Sequence, residues 1–174
     1  SIRRQRQMCI RDRFGTLKAK KTNGKKPIIL SGHTDVVPVS KGWSTDPFKA
    51  TIIDKKLYGR GSCDMKGFIA CTLAYAPILA QSNLDRDFYF CYTFDEETAC
   101  IGAPLLISEL KKRNIKNGIC IVGEPTEMKI IDAHKGMNEY TTYFGGLAGH
   151  SSKPQEGVNA IEYASRYINK LLEI

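Results

Sequence analysis

Apolar runs alternate with polar segments along the chain, and three of these runs end within one residue of an acidic or histidine residue. The runs cover about residues 27–32, 87–94 and 118–122. Short runs that are almost entirely apolar are typical of strands buried on both faces of a sheet. We therefore predict a central sheet that is flanked by helices.

Apolar residues at helical spacing predict three helices. The first begins at Met65, and Pro77 is expected to kink it or to end it early. The second covers about residues 102–113, where basic residues suit the negative end of the helix dipole, and the third covers 158–172. The predicted buried face of the first helix consists of Met65, Phe68, Ile69, Thr72, Leu73, Ala76 and Leu79.

Shorter strands complete the predicted pattern. Residues 14–20 and 27–32 are expected to pair as a hairpin, because Asn23-Gly24 between them is a strong turn signal. The other short strands are predicted at 50–53, 56–58, 128–133 and 137–144. The alternation of strands and helices, with acidic residues at strand ends, indicates an α/β fold with a mixed sheet, and such sheets bind ligands at the carboxyl ends of their strands.

The net charge of +8 is concentrated at the start of the chain. Residues 1–26 contain ten Lys or Arg and one Asp, whereas residues 27–174 contain sixteen basic and seventeen acidic side chains. A basic arm of this kind can bind nucleic acid. Because no known fold signature accompanies it, we expect a solvated or non-native tail and no nucleic-acid partner.

Residues 1–13 show no coherent helix or strand pattern and resemble translated sequencing-adapter read-through. We therefore interpret them as a non-native tail and leave them out of the fold prediction. The same segment in an independently sequenced genomic copy of the gene would refute this hypothesis.

The six cysteines include no C-x-x-C pair, and most lie within predicted strands or helices. A free cysteine in such a position behaves as a small hydrophobe, so this pattern favours a reducing cytosol over a disulfide framework. We find neither an uninterrupted run of about 18 apolar residues nor a secretory signal. We expect a cytoplasmic protein without a membrane partner.

The adjacent Glu96 and Glu97 are the most informative polar residues. Two neighbouring carboxylates at a strand end repel each other. The repulsion is relieved when one carboxylate binds a cation and the other accepts or donates a proton. His33, Asp64 and Glu124 also follow apolar segments. Together these residues indicate one hydrolytic metal centre, in which Glu96 and Glu97 point apart because they lie on an extended segment.

Asp35 supports the same interpretation. The His-x-Asp spacing places His33 and Asp35 on one face of a strand, so the carboxylate can accept the ring N–H of the histidine and set its tautomer.

Taken alone, each candidate residue has a simpler explanation. Asp64 is most simply the N-cap of the predicted helix, Glu96 and Glu97 are a solvated pair, and Glu124 is a turn residue before a proline. His150 in a Gly-Ser loop is uninformative by itself. Their joint occurrence at the ends of apolar segments favours the metal centre.

Several short motifs resemble the dizinc aminoacylase and carboxypeptidase superfamily of metallopeptidases, and within it the N-terminal part of the acetylornithine deacetylase family. The resemblance covers about residues 27–172, and the choice of branch depends chiefly on Gly-Glu-Pro-Thr-Glu-Met and His-Lys-Gly. The motifs are Ser31-Gly32-His33-Thr34-Asp35, Gly59-Arg60-Gly61, Asp64-Met65-Lys66-Gly67, Asp95-Glu96-Glu97, Gly123-Glu124-Pro125-Thr126, His134-Lys135-Gly136, His150-Ser151-Ser152 and Gly157-Val158-Asn159-Ala160-Ile161.

The resemblance implies two Zn2+ ions per complete subunit, with Co2+ as a substitute. His33 and Glu124 would bind one zinc, Glu97 would bind the other, and Asp64 would bridge the two. One further histidine ligand of the family has no match among the three histidines of this chain. We therefore interpret the chain as a fragment that is inactive alone.

The remaining roles are also implied by the resemblance. Asp35 would hold the His33 ring, Glu96 would be the general base, and His150 would help to bind the reacting carbonyl in the partner subunit of a homodimer. Residues 14–135 would belong to the catalytic domain, and residues 136–174 would begin an α+β lid and dimerisation domain.

The implied reaction removes acetate from N2-acetyl-L-ornithine and gives L-ornithine for arginine biosynthesis. The alternatives are a succinyl-diaminopimelate desuccinylase or a broader aminoacylase of the same superfamily. A non-catalytic binding protein would lack the base, and the presence of Glu96 argues against it.

Overall fold

The computed structural model describes residues 13–22 and 24–174. Its strands are β1 (Arg13–Leu17), β2 (Ile28–His33), β3 (Thr51–Ile53), β4 (Lys56–Tyr58), β5 (Phe88–Thr93) and β6 (Ile119–Val122). Its helices are α1 (Gly67–Gln81), α2 (Gly102–Lys112) and α3 (Ala160–Leu171), with a π-helical turn at Ser62–Lys66 and a 3-10 turn at Pro154–Glu156. The chain divides into two compact units between Ile130 and Ile131.

The first unit contains a four-stranded sheet in the order β1-β5-β2-β6. β2 is parallel to β5 and to β6, and β1 is antiparallel to β5. The predicted mixed α/β sheet is therefore confirmed. The apolar runs predicted as strands are confirmed as β2, β5 and β6, within two residues at each end. The predicted burial is wrong for β6, whose four residues are all exposed because it lies at the edge of the sheet.

The predicted hairpin between residues 14–20 and 27–32 is wrong. β1 pairs with β5, where Leu17 lies opposite Phe88. β5 is the most buried strand, with five of its six residues buried, and its placement between β1 and β2 leaves neither of its edges open to water. Asn23, the first residue of the predicted turn, lies outside the described residues.

Strand β5 separates two apolar layers, because successive side chains of a strand point to opposite faces. One layer contains Leu17, Ala76, Phe90 and Tyr92, with Ile69 and Leu79 of α1 packed against it. The other contains Ile29, Tyr89 and Cys91, with Leu106 and Leu110 of α2 packed against it. Helices α1 and α2 therefore cover opposite faces of the sheet.

Helix α1 differs from its prediction in three respects. It begins at Gly67, because Asp64 and Met65 have non-helical dihedral angles; Asp64 is therefore not its N-cap. It continues through Pro77 to Gln81, so the prediction of an early end is wrong. Leu73 is 53% exposed, because only a narrow stripe of the helix reaches the sheet.

The segment Ser62–Gln81 is long and apolar enough, by length and composition alone, to span a membrane. It also carries Asp64 and Lys66, and Thr72 on its buried face hydrogen-bonds Tyr92 of the sheet. We therefore interpret this segment as a helix that packs one face on the sheet. The absence of a membrane partner stays a prediction.

Strands β3 and β4 confirm the strands predicted at 50–53 and 56–58, and they pair as a hairpin with Asp54 and Lys55 at positive φ in its turn. Such dihedral angles are typical of the two-residue turns that connect antiparallel strands.

The cysteines that the structure describes are all free. Cys91 is buried, and burial raises the pKa of its thiol to about 12. The other four described cysteines are exposed, so the prediction that most of them pack as small hydrophobes is wrong. Cys9 lies outside the described residues.

The second unit ends in α3, which confirms the helix predicted at 158–172. The Oδ1 atom of Asn159 accepts a hydrogen bond from the N–H of Ile161 at 3.0 Å and caps this helix. The strands predicted at 128–133 and 137–144 are wrong, since no strand occurs in these described residues. A strand requires a neighbouring strand for its hydrogen bonds, and the one bridge nearby joins Leu147 and Val158.

Candidate metal centre

The candidate residues of the first unit lie at one edge of the sheet. Because β2, β5 and β6 are parallel, their carboxyl ends meet there. His33 is the last residue of β2 and pairs with Thr93, three residues before Glu96. Ser31 pairs with Val122, so Glu124, two residues beyond Val122, lies about level with His33.

The imidazole ring of His33 lies at the middle of this edge and is 1% exposed. Its Nε2 atom lies 3.0 Å from Oδ1 of Asp64. The same nitrogen lies 3.7 Å from Oε1 of Glu124 and 3.9 Å from Oε2 of Glu96. Three carboxylates from separate parts of the chain thus converge on one buried nitrogen.

Two groups of side chains have potential ligand atoms within 4.8 Å of one another, and they share His33. The first group is His33, Asp64 and Glu124, and the second is His33, Glu96 and Glu97. Imidazole nitrogen and carboxylate oxygen are appropriate ligands for zinc. Four carboxylates around a single histidine carry an excess of negative charge that a cation would neutralise, so this donor set fits a metal site.

Glu96 and Glu97 do not lie on an extended segment, which corrects the argument that their side chains must point apart. Asp95 has a φ of 54°, and the chain turns after it. The N–H of Ala99 donates to the carbonyl oxygen of Asp95 at 3.1 Å and closes the turn. Both glutamates can therefore approach His33, and the assignment of one as ligand and the other as base stays a prediction.

Asp35 connects His33 with the glutamate turn. The Nδ1 atom of His33 lies 3.1 Å from the backbone oxygen of Asp35 and 3.4 Å from its Oδ1. The other carboxylate oxygen, Oδ2, accepts a hydrogen bond from the N–H of Glu97 at 3.1 Å. The carboxylate of Asp35 was expected to accept the ring N–H of His33, but the hydrogen bond goes to the backbone oxygen, and the buried Oδ1 has no hydrogen-bond partner in the described part of the chain. The contact with Glu97 was not predicted, since neither pattern nor spacing relates residues this far apart.

The contacts of Asp35 determine its charge. Burial raises the pKa of its carboxyl group, but the backbone N–H groups of Glu97, Asp35 itself and Glu96 outweigh burial, and the pKa falls below its ordinary value. Asp35 is therefore ionised at neutral pH.

The ionisation of His33 and Glu124 reflects the crowding of carboxylates. Burial lowers the pKa of His33, but the charge of Glu124, the hydrogen bond to Asp64 and the charge of Glu96 outweigh it, so the pKa is raised. Burial raises the pKa of Glu124; His33 opposes this shift, and Asp64, Glu96 and Glu97 reinforce it.

Asp64 reaches the centre because the chain before α1 is not helical. Its dihedral angles are φ −117° and ψ 101°, and Gly61 at φ 80° precedes the turn. The N–H of Lys66 donates to the carbonyl oxygen of Gly61 at 2.8 Å. A cleft of about 340 Å³, lined by Trp43 and residues 56–64, borders Asp64. Of the candidate ligands, Asp64 lines this cleft.

Gly123 allows α1 to approach the end of β6. A Cβ atom at this position would lie 1.9 Å from the ring carbon Cγ of Phe68, so no larger residue fits without displacing that ring. Gly123 thus lets Phe68 pack closely against the end of β6, and the next residue, Glu124, lies at the sheet edge.

His150 belongs to the second unit, which we describe by itself. It is exposed, and its Nδ1 atom lies 2.8 Å from Oγ of Ser152. Its role at the carbonyl stays a prediction. Met65, which sequence analysis placed in the core, proves to contact the backbone of His33; only its position next to Asp64 could have indicated this.

Comparisons with known proteins agree with this geometry. The sequence profile of peptidase family M20/M25/M40 matches residues 29–170. Acetylornithine deacetylase of Erwinia tasmaniensis is 40% identical over 165 residues, which are 94% of this chain and 42% of that protein. Acetylornithine deacetylase of Buchnera aphidicola subsp. Schizaphis graminum is 40% identical over 153 residues, which are 87% of this chain and 39% of that protein.

A solved structure supports the fold. Aminopeptidase PepT from Bacillus cereus aligns with a TM-score of 0.59 at 20% identity, over 98% of this chain and 46% of that chain. At this identity the likeness shows the fold alone. The chain spans about two fifths of the length of the two curated relatives, 42% and 39%.

Proposed function

The chain belongs to peptidase family M20/M25/M40, and we propose that the protein containing it is a zinc-dependent amide hydrolase. Its proposed reaction removes acetate from N2-acetyl-L-ornithine and releases L-ornithine for arginine biosynthesis. The observation that carries the proposal is the convergence of carboxylates on the buried ring of His33. The 40% identity to acetylornithine deacetylases over 94% of the chain supports the choice of substrate.

Two Zn2+ ions, replaceable by Co2+, would be held by four residues of the first unit. We propose His33 and Glu124 for one ion, Glu97 for the other and Asp64 as the bridge. A bound metal pair would polarise the amide carbonyl and lower the pKa of a water molecule. The carboxylate of Asp64, which is 48% exposed, would also offset the repulsion between two cations.

Glu96 is the proposed general base. Its side chain is 45% exposed, so water can reach it. The carboxylate would take a proton from the attacking water and pass it to the leaving amine. The C–N bond of the amide breaks, a C–O bond forms, and acetate and the amine leave. Proton transfer of this kind typically contributes about 10²–10⁴-fold to the rate.

His33 would bind the metal, and Asp35 would hold the His33 ring in place. Metal binding requires a neutral imidazole, whose Nε2 faces Asp64 and Glu124 while its Nδ1 faces Asp35. The backbone oxygen of Asp35 would accept a hydrogen bond from Nδ1–H, and the negative carboxylate nearby would favour this tautomer, which keeps Nε2 free for the metal. Because Asp35 also accepts a hydrogen bond from the backbone of Glu97, it would fix the position of Glu97 relative to His33.

The second unit would supply a contact to the reacting carbonyl of the substrate. We propose that residues 136–174 begin a lid and dimerisation domain, and that His150 helps to bind the reacting carbonyl in the partner subunit of a homodimer. Residues 14–135 would belong to the catalytic domain. A cytoplasmic location agrees with the free cysteines and with the proposed place in amino-acid biosynthesis.

Activity of the full-length protein tests the proposal. The purified protein is loaded with zinc and assayed on N2-acetyl-L-ornithine, on N-succinyl-diaminopimelate and on other N-acetyl amino acids, with release of the free amine as the readout. We expect the highest kcat/KM for acetylornithine and loss of activity after treatment with a chelator, restored by Zn2+ or Co2+.

Two results would change the assignment. A higher kcat/KM for N-succinyl-diaminopimelate would make the protein a desuccinylase, and equal rates on many acetyl amino acids would make it a broad aminoacylase. Full activity in a protein shown to be free of metal would refute the metal centre itself.

A further inference from the structure

The backbone N–H of His33 points to the side of β2 where the neighbouring strand has ended. Backbone groups of successive strand residues point to alternate sides. The carbonyl oxygen of Ser31 accepts from Gly123 on the β6 side at 3.2 Å, and the N–H of Thr34 donates to Thr93 on the β5 side at 2.9 Å. The N–H of His33 therefore points towards β6, whose pairing with β2 ends at Ser31.

The sulfur of Met65 occupies the place of the missing strand acceptor. Its Sδ atom lies 3.2 Å from the backbone nitrogen of His33, and Met65 is 0% exposed. A thioether is a weak acceptor, but a buried N–H with no acceptor at all is costly. The contact therefore stabilises the end of β2 at the residue that carries the ring of the metal centre.

Gly32 provides the space that this arrangement needs. A Cβ atom at Gly32 would lie 2.8 Å from Cε of Met65 and 3.4 Å from its Sδ. The Met65 side chain thus packs directly against the backbone of Gly32 and of His33.

Met65 also follows Asp64 directly in the chain. Asp64 holds Nε2 of the His33 ring at 3.0 Å, while Met65 holds the backbone of the same histidine. Two adjacent residues with non-helical dihedral angles therefore contact both the ring and the backbone of His33. A shift of the Met65 side chain would change the distance between two of the proposed metal ligands.

We propose that Met65 is a positioning residue of the metal centre: its sulfur joins the end of β2 to the Asp64 segment and sets the spacing of His33 and Asp64. The inference rests on the metal centre proposed above, but it does not depend on which amide is the substrate.

The test compares full-length wild-type protein with Met65→Leu, which keeps a similar volume and removes the acceptor. Hydrogen exchange of the His33 amide is measured in metal-free protein, with the Leu30 amide of the same strand as an internal reference. Zinc affinity is measured by competition with a chelator. Leu17→Ala, a change at a buried residue of β1 that is 4% exposed, serves as the control for general loss of packing.

We expect Met65→Leu to accelerate exchange at His33 about tenfold relative to Leu30 and to weaken zinc binding about tenfold or more. In Leu17→Ala we expect exchange at both amides to rise together and zinc affinity to stay within about twofold. Should Met65→Leu fail to fold, Gly32→Ala displaces the Met65 methyl group and is expected to weaken zinc binding in the same way.

Unchanged exchange at His33 and unchanged zinc affinity in Met65→Leu would overturn the inference, as would a loss of zinc affinity in Leu17→Ala as large as that in Met65→Leu. A protein that does not hydrolyse acetylornithine, yet shows the expected exchange and zinc results, would support the inference and refute the proposed substrate.

Discussion

The Nε2 atom of His33 lies 3.0 Å from Oδ1 of Asp64, although the two residues are separated by 31 positions in the chain and belong to different elements. His33 ends a buried strand, and Asp64 lies in the irregular turn before α1. The raised pKa of His33, caused by surrounding carboxylates that outweigh burial, shows that this edge of the sheet favours positive charge. Variants of the centre and of the core beneath it are to be measured in the full-length protein.

Glu96→Gln should lower kcat for acetylornithine by about 10²–10⁴-fold, because the amide cannot accept the proton of the attacking water. Zinc content should not change, since the proposed ligands are other residues. Steady-state kinetics and metal analysis check this. Glu162→Gln, an exposed change on α3, is the control, and a kcat for Glu96→Gln close to the control's would refute the role of Glu96 as the base.

Asp35→Asn should weaken zinc binding by about 10–100-fold, because the charge that supports the ring of His33 is lost. Chelator competition measures the affinity. The matched control is Asp46→Asn, at an exposed carboxylate that accepts a hydrogen bond from Phe48. If both variants bind zinc like the wild type, Asp35 does not support the ligand.

His150→Ala should lower turnover by about 10²–10³-fold, the usual effect of losing one group that stabilises the developing charge on a carbonyl oxygen. Zinc affinity should stay at the wild-type value, because no ligand is proposed in the second unit. Lys153→Ala, on the same loop, is the control. Wild-type turnover in His150→Ala would remove this residue from the mechanism.

Tyr92→Phe should destabilise the protein by roughly 1–2 kcal/mol. The hydroxyl groups of Tyr92 and Thr72 lie 2.6 Å apart and form a buried hydrogen bond in which either can be the donor. Tyr92→Phe removes this bond and leaves the buried Thr72 hydroxyl without its Tyr92 partner. Urea unfolding measures the change, and Tyr75→Phe on the exposed side of α1 should have almost no effect. Equal stability of the two variants would contradict the prediction.

Asp87→Asn should reduce stability at neutral pH by roughly 1 kcal/mol and have a smaller effect in acid. Burial raises the pKa of Asp87, but hydrogen bonds from Lys18 and from the N–H of Ala19 outweigh burial, and the pKa is lowered. Stability from a lowered carboxyl pKa is present above the ordinary value of about 3.9 and is lost as pH falls through the lowered value.

Urea unfolding of wild type and Asp87→Asn at neutral pH and near pH 2.5 measures this difference. Asp85→Asn, at an exposed carboxylate of the same loop, should change stability less, because water and salt screen its charge. A difference between wild type and Asp87→Asn that is as large in acid as at neutral pH would count against the assigned ionisation of Asp87.

The sequence by itself determined the strands that carry the centre and the residues at their ends. β2, β5 and β6 were predictable because a run of apolar residues is a local property of the chain. Since parallel strands present their carboxyl ends at one edge, the approach of His33, Glu96 and Glu124 to one another could be predicted as well.

Only the tertiary structure decided how the remaining parts meet. It placed β1 beside β5, turned the chain after Asp95 so that Glu96 and Glu97 both approach His33, and held the turn at Asp64 out of helical geometry. It also aimed the sulfur of Met65 at the backbone of His33. These features depend on contacts between residues that are far apart in the chain. The local pattern of apolar and polar residues does not predict such contacts.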